Sequence, residues 1–385
     1  MNYSLKAGNI EFSCAQYSGS LSFAISPYAI GKSGLADEDA GVIFLRSPYY
    51  DAAINRFGLF LDQGGMKNSF GYLFPVSLLD KANEQEYSSM KEWQQDMMYI
   101  GYRKLLDSCN AGKKLCQDGV VIEDLEDIKI KEDVFLLVYD KKVENDETKI
   151  IPAIYDKGFY VTRNPFESTK LYNSSYMKRI ISGDRLHKDL TLKEISESFV
   201  KFGYIKDLFV NFLPYIENSA FRYILLYQVI EYLIDLKKNE TWFDSMNSFS
   251  AKHSNELIHK LMDVGKEETL INMVFAGVHR GDSMYQEFID YAKQLYDGVK
   301  KERNKDTDFP ALMYGVRNIL VHNLKEAINF GSIINELAER FEKIICTLIM
   351  NVEIDECIGK GVFVYDMNLK YKDNVRTFSK LFHEW

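Results

Sequence analysis

Tyr314-Gly315-Val316-Arg317-Asn318-Ile319-Leu320-Val321-His322-Asn323 decides how the C-terminal half of this chain is read. It sets an arginine, an asparagine and a histidine into an otherwise apolar segment. Buried polar groups cost free energy unless they are paired, so a chain that puts them in a core-like helix has a use for them. A guanidinium grips phosphate oxygens in bidentate fashion, and an imidazole exchanges protons near neutral pH. The combination points toward phosphate chemistry. On a straight helix five residues turn through about 500°, which leaves Arg317 and His322 about 140° apart. Asn318 and His322, at i and i+4, share a face. The long arginine side chain can cross the offset, or the helix can deform. Alternatively, a second copy packed antiparallel brings one chain's arginine to the other's histidine. The plainer reading makes His322 a satisfied core histidine and pairs Arg317 with a core carboxylate.

Working outward, helical periodicity holds from about residue 166 to about 350. Thr191 followed by Glu194 has the form of a capping box and predicts a helix start. Asn218-Ser219 opens a helix over Phe221 to Leu236. Further helices are expected over Ser254 to Val264, Ser283 to Lys301, Pro310 to Ile328 and Ser332 to Met350. Pro310 fits a first turn, and Gly331-Ser332 a break before the last helix. A short strand near Val362 to Tyr365 and a terminal helix complete the expectation.

The first ~165 residues differ in period. Leu21 to Ile30, Gly41 to Leu45, Arg56 to Leu61 and Gly71 to Val76 are short apolar or aromatic runs between Gly, Asn, Asp and Pro, as strands are. One helix, roughly Glu84 to Leu106, interrupts them. Asp133 to Tyr139 and Lys149 to Thr162 read as two more strands, with the charged segment Asp140 to Thr148 as a hairpin loop. The expected class is α+β: a strand-rich mixed domain over residues 1–165, then an all-α helical bundle over 166–385.

Composition narrows the function. The 385 residues are 46% hydrophobic, enough to bury a full core, and carry a net charge of -9. An acidic chain is not a general nucleic-acid binder, so any RNA contact needs a local basic surface. The five cysteines form no CxxC pair, which predicts reduced thiols and a cytoplasmic protein. No apolar run reaches the ~20 residues of a membrane span, and no signal peptide is seen. No membrane partner is expected.

Arg317-Asn318-Ile319-Leu320-Val321-His322 resembles the signature of the HEPN superfamily (higher eukaryotes and prokaryotes nucleotide-binding): Arg, four to six residues, then His, with a polar residue after the Arg. Phe221 to Ile234, with Glu231 amid apolar residues, resembles an earlier helix of that bundle. The resemblance covers the C-terminal half only. It implies a metal-independent endoribonuclease of a toxin, abortive-infection or antiviral defence system that needs no cofactor. By that resemblance the RNA 2′-hydroxyl attacks the adjacent phosphate, with His322 as general base or acid and Arg317 stabilising the phosphorane. Asn318 orients His322 or the phosphate, and Glu231 orients Arg317 or tunes the histidine. It also implies a homodimer, RNA (tRNA among the candidates) as substrate, and a strand-rich domain that senses a trigger or binds a regulatory protein. The position two residues after the histidine, which one toxin group fills with a modified tyrosine, is Leu324. A non-catalytic module binding a nucleotide or a partner protein is the alternative, and a structural bundle with an incidental motif is a third reading.

Lys300, Lys301 and Arg303 form a basic run before the motif helix that could guide RNA, although Asp297, Glu302, Asp306 and Asp308 nearly cancel it. His279-Arg280-Gly281-Asp282 reads as a turn. His253 and His259 do not share a helix face, so no metal site is expected. Gly31-Lys32-Ser33 lacks the first glycine of a phosphate loop, because position 26 is Ser26.

Overall fold

The structure, a computed structural model, describes residues 2–7, 10–15, 39–50, 55–63, 65–78, 91–108, 123–124, 133–163, 165, 169–183, 189–247, 267–275, 283–300 and 308–352. The architecture is α+β, a strand-rich N-terminal part followed by helices. The chain divides into two compact units: residues 1–194 with 206–217, and residues 195–205 with 218–385.

In the first unit, strands β1 (Asn2–Ala7) and β2 (Ile10–Ala15) pair antiparallel. Strands β3 (Ala40–Arg46), β4 (Phe57–Gln63) and β5 (Met66–Pro75) follow. The remaining strands are β6 (Glu123–Asp124), β7 (Val134–Asp140), β8 (Tyr160–Val161) and β9 (Asp189–Lys193). The larger sheet has the order β8-β3-β7-β5-β4-β9, while β6 adds to β1 in the smaller one. Strand β7 lies inside the larger sheet. Its run Val134-Phe135-Leu136-Leu137-Val138 is apolar without alternation because both faces are covered, and all five side chains are fully buried. Helix α1 (Glu92–Ser108) covers one face. A Cβ on its Gly101 would sit 2.8 Å from Val138 and 3.0 Å from Phe74. Phe135 reaches the other face, where its ring meets Phe159 edge-on at 5.2 Å.

Three sequence readings are corrected here. Lys149 to Thr162 is not one strand: helix α2 (Ile151–Asp156), with Pro152 in its first turn, occupies its middle. The two residues of β8 pair with β3 and not with β7, so Asp140 to Thr148 does not close a hairpin. Thr191 does not cap a helix. It lies in β9, where Leu190 and Leu192 point into the core between Asp189, Thr191 and Lys193, and the strand runs parallel to β4. Period-2 burial outweighs the capping motif, and the Glu194 carboxylate instead accepts a hydrogen bond from Gln63 at 3.1 Å. Helix α3 (Ser175–Gly183) precedes this strand, and α4 (Glu197–Lys201) begins behind Ser196. Helix α5 (Tyr204–Asp207) continues into a π-helical turn, Leu208–Phe212.

The second unit is a helical bundle. Helix α6 (Ser219–Asn247) lies at its centre, packed by α7 (Glu267–Val274), α9 (Phe309–His322) and α11 (Gly331–Asn351). Helix α8 (Ser283–Lys300) packs on α9 and α11. The central position explains why α6 carries apolar residues around its circumference, while helices at the rim are one-faced. The Phe309 ring anchors the start of α9 with edge contacts to Phe275, Tyr285 and Phe288 at 5.0–5.1 Å. The buried Arg222 is neutralised by an ion pair with Glu342, as an interior guanidinium requires.

The helix expected over Pro310 to Ile328 ends at His322. A short helix, α10 (Leu324–Ala327), and a 3₁₀ turn, Ile328–Phe330, follow. The expected elements Leu21 to Ile30, Ser254 to Val264 and Val362 to Tyr365, and the stretch 84–90, lie outside the described residues.

Candidate functional site

The site is built where α6 faces α9. Tyr223, Tyr227 and Glu231 follow one another at four-residue spacing, so they form one row along α6. Met313 and Arg317 repeat the spacing on α9. The Tyr223 hydroxyl donates to the Met313 carbonyl at 2.9 Å. One level further along both helices, the Arg317 guanidinium lies against Glu231 and Tyr227. Its Nη2 donates to Glu231 Oε1 at 3.3 Å, and its Nη1 donates to Asn318 Oδ1 at 3.2 Å. Its Cζ stands 5.7 Å from the centroid of the Tyr227 ring, within cation–π range.

Arg317 is 28% exposed and Glu231 36% exposed, so the pair is a site wall rather than a core bridge. A guanidinium has five N–H donors, and these two hydrogen bonds use two of them. The remainder, on a partly exposed group, suits an incoming anion.

Two phenols flank the ion pair, Tyr227 against Arg317 and Tyr204 beside Glu231. Burial of Tyr227 pushes its hydroxyl above the usual tyrosine range. The negative charge of Glu267 adds to that, and Arg317 opposes it. The hydroxyl stays protonated and donates to Glu267 Oε1 at 3.3 Å. Tyr204 is pushed up to about 12 by burial and then by the charge of Glu231, and its hydroxyl donates to the Leu225 carbonyl at 3.0 Å.

Of the residues singled out in the sequence, Arg317, Asn318 and Glu231 come together, while His322 does not join them. Helix α9 is unbroken from Phe309 to His322, so the angular offset stands, and His322 lies about 7.5 Å farther along the axis. It is exposed at the last position of the helix. Among the described residues its ring has no hydrogen-bond or ion-pair partner. Close to it in the chain, Val321, Leu324 and Ile328 are exposed apolar residues, at 43%, 47% and 71%. Lys300 is the last described residue of α8; Lys301 and Arg303 lie outside the described residues. No group of three or more His, Cys, Asp or Glu among the described residues is arranged to hold a metal ion. No described helix is long and apolar enough to cross a membrane.

Tyr227, Glu267 and Tyr204 are the site residues that sequence reading passed over. The row Tyr223-Tyr227-Glu231 was there to find at i, i+4 spacing. Glu267 was not, because its partner lies 40 residues away.

No family model, curated protein or solved structure matches this chain.

Proposed function

We propose that the helical unit is a HEPN-type endoribonuclease acting in a defence or toxin system, with Arg317 and His322 as its catalytic residues. One observation carries the reading: a guanidinium held half-exposed by a carboxylate, an amide and an aromatic face, on the helix whose end presents an exposed imidazole. Glu231 and Asn318 fix the orientation of Arg317 before substrate arrives, which is how a charge stabiliser gains most from preorganisation. In the reaction the RNA 2′-oxygen attacks phosphorus while His322 takes its proton. Arg317 neutralises the equatorial oxygens, the departing 5′-oxygen takes a proton from water, and His322 returns its proton to the solvent. The products are a 2′,3′-cyclic phosphate and a 5′-hydroxyl. The nucleophile belongs to the substrate, so the chemistry calls for no metal or cofactor.

The separation of Arg317 from His322 within one helix supports a homodimer, in which the motif of one copy faces that of the other across a cleft. Val321, Leu324 and Ile328 supply apolar surface for that contact. The strand-rich unit is then the module that senses a trigger or binds a regulatory protein.

The test compares wild type, Arg317→Ala and His322→Ala on total RNA and tRNA in EDTA, with sequencing of the cut ends. Each variant is expected to lose about 10²- to 10⁴-fold in rate. Equal cleavage by all three removes the mechanism. The same separation favours a second reading, a non-catalytic module that binds a nucleotide or a protein partner through Arg317. Loss of nucleotide binding in Arg317→Ala, with no RNA cleavage by wild type, selects it.

A further inference from the structure

The guanidinium of Arg317 is held on its edges by Glu231 and Asn318, but its plane is set by something else. Two edge hydrogen bonds of 3.2 and 3.3 Å hold the two Nη atoms and leave the plane free to tilt about the line joining them. The Tyr227 ring closes that freedom, with its centroid 5.7 Å from Cζ. Tyr227 is itself fixed. Its residue is 1% exposed, and its hydroxyl is tied to Glu267 on another helix. A phenol that donates to a carboxylate carries a more electron-rich ring, which strengthens the cation–π contact.

We infer that Tyr227 is a positioning residue for the ribonuclease reaction. Anchored by Glu267, its ring fixes which face of Arg317 meets the scissile phosphate. The assignment rests on the ribonuclease reading above, and adds α7 to the elements that build the site.

The experiment measures kcat, KM and thermal midpoint for wild type, Tyr227→Leu, Tyr227→Phe and Glu267→Ala, with single-turnover rates for Arg317→Ala and the double variant Y227L/R317A. Loss of the ring should cost Tyr227→Leu about 10- to 100-fold in kcat, with KM within about threefold, because a misaligned catalytic group weakens the transition state more than binding. Tyr227→Phe keeps the face and should recover most of that loss. Glu267→Ala should match it, since each removes only the tie. In the Arg317→Ala background Tyr227→Leu should change the residual rate by less than about twofold, as expected for a residue that acts only through the arginine.

Wild-type rates in Tyr227→Leu overturn the assignment, as does a Phe variant no better than Leu. An undiminished effect of Tyr227→Leu without Arg317 also overturns it, and shows a merely structural role. If Tyr227→Leu does not fold, Tyr227→Phe and Glu267→Ala decide: a shared loss of about threefold in kcat supports the tie, and wild-type rates in both overturn it. A wild type that cuts no RNA, or an Arg317→Ala that cuts normally, fails the ribonuclease reading itself. A defect in Arg317→Ala with none in the Tyr227 variants fails only this inference.

Discussion

Tyr139 shows how one side chain couples the sheet to its charges. Its register partners on the neighbouring strands are Gly41 on β3 and Gly71 on β5. The ring lies over Gly41, where a Cβ would come within 2.1 Å of it. Burial raises its hydroxyl to about 12, and the negative charges of Glu147, Glu144 and Asp146 push the same way. An unfolded tyrosine titrates near 10, so the folded chain binds the extra proton between those values. The stability this group contributes is therefore complete below about pH 10 and lost as pH rises through about 12. Thermal melts across that window should show a decline that is shallower in Tyr139→Phe by up to one proton. Identical slopes would mean that the ring is solvated. At this scale the sequence named Arg317, Asn318 and Glu231, because a polar residue inside an apolar run is visible in the string. Tyr227 was passed over, since an aromatic in a helix reads as core, and Glu267 was hidden, since its partner lies 40 residues away. The sequence set Arg317 and His322 about 140° apart on a straight helix, and the unbroken helix keeps that offset.

Elements are legible where one periodicity dominates. Strand β7 was readable from its run of β-branched and aromatic residues, and α8 and α11 from their spacing. The errors came where two local signals competed. Thr191 and Glu194 match a helix cap, yet the alternation of Leu190 and Leu192 serves the sheet edge. Burial decides, because a capping bond is worth about 1 kcal/mol and two buried leucines about 3–6 kcal/mol. The segment after Lys149 held apolar residues of both periods, and Pro152 settled it by opening a helix. Packing of α1 on the sheet gives a prediction of the same kind. Glycine weakens a helix interior, so propensity alone says that replacing Gly101 stabilises it. The close approach to Val138 and Phe74 says the opposite. Gly101→Val is expected to destabilise the fold by about 1–3 kcal/mol, the usual cost of overpacking. A denaturant midpoint equal to or above that of wild type would show that α1 does not seat on β7.

For the whole molecule the boundary near residue 165, drawn where the period changes, is not where the contacts divide. The chain enters the helical unit over 195–205, returns to the strand-rich unit over 206–217, and enters the helical unit again at 218. Sequence period could not reveal this, because both short segments are helical in character. The physical reason is in their partners. Phe202 stacks on Tyr232 at 3.8 Å, and the Tyr232 hydroxyl donates to the Ser198 carbonyl at 3.0 Å, so 195–205 completes the surface of α6. Phe209 packs edge-on against Tyr155 at 5.1 Å, so 206–217 completes the strand-rich unit. No single cut leaves both units whole. A fragment of 218–385 bares the Phe202 face of Tyr232 and loses the Tyr204 ring beside Glu231. A fragment of 195–385 keeps those contacts but uncovers Leu208, Phe209 and Leu213, which are fully buried in the intact chain. The longer fragment is expected to melt cooperatively and to need solubilising substitutions at Leu208 and Phe209. The shorter one should melt lower by several degrees, because loss of a stacked aromatic pair and its hydrogen bonds is worth about 2–3 kcal/mol. Equal melting of the two fragments by circular dichroism would show that 195–205 is an ornament of the helical unit and not one of its parts.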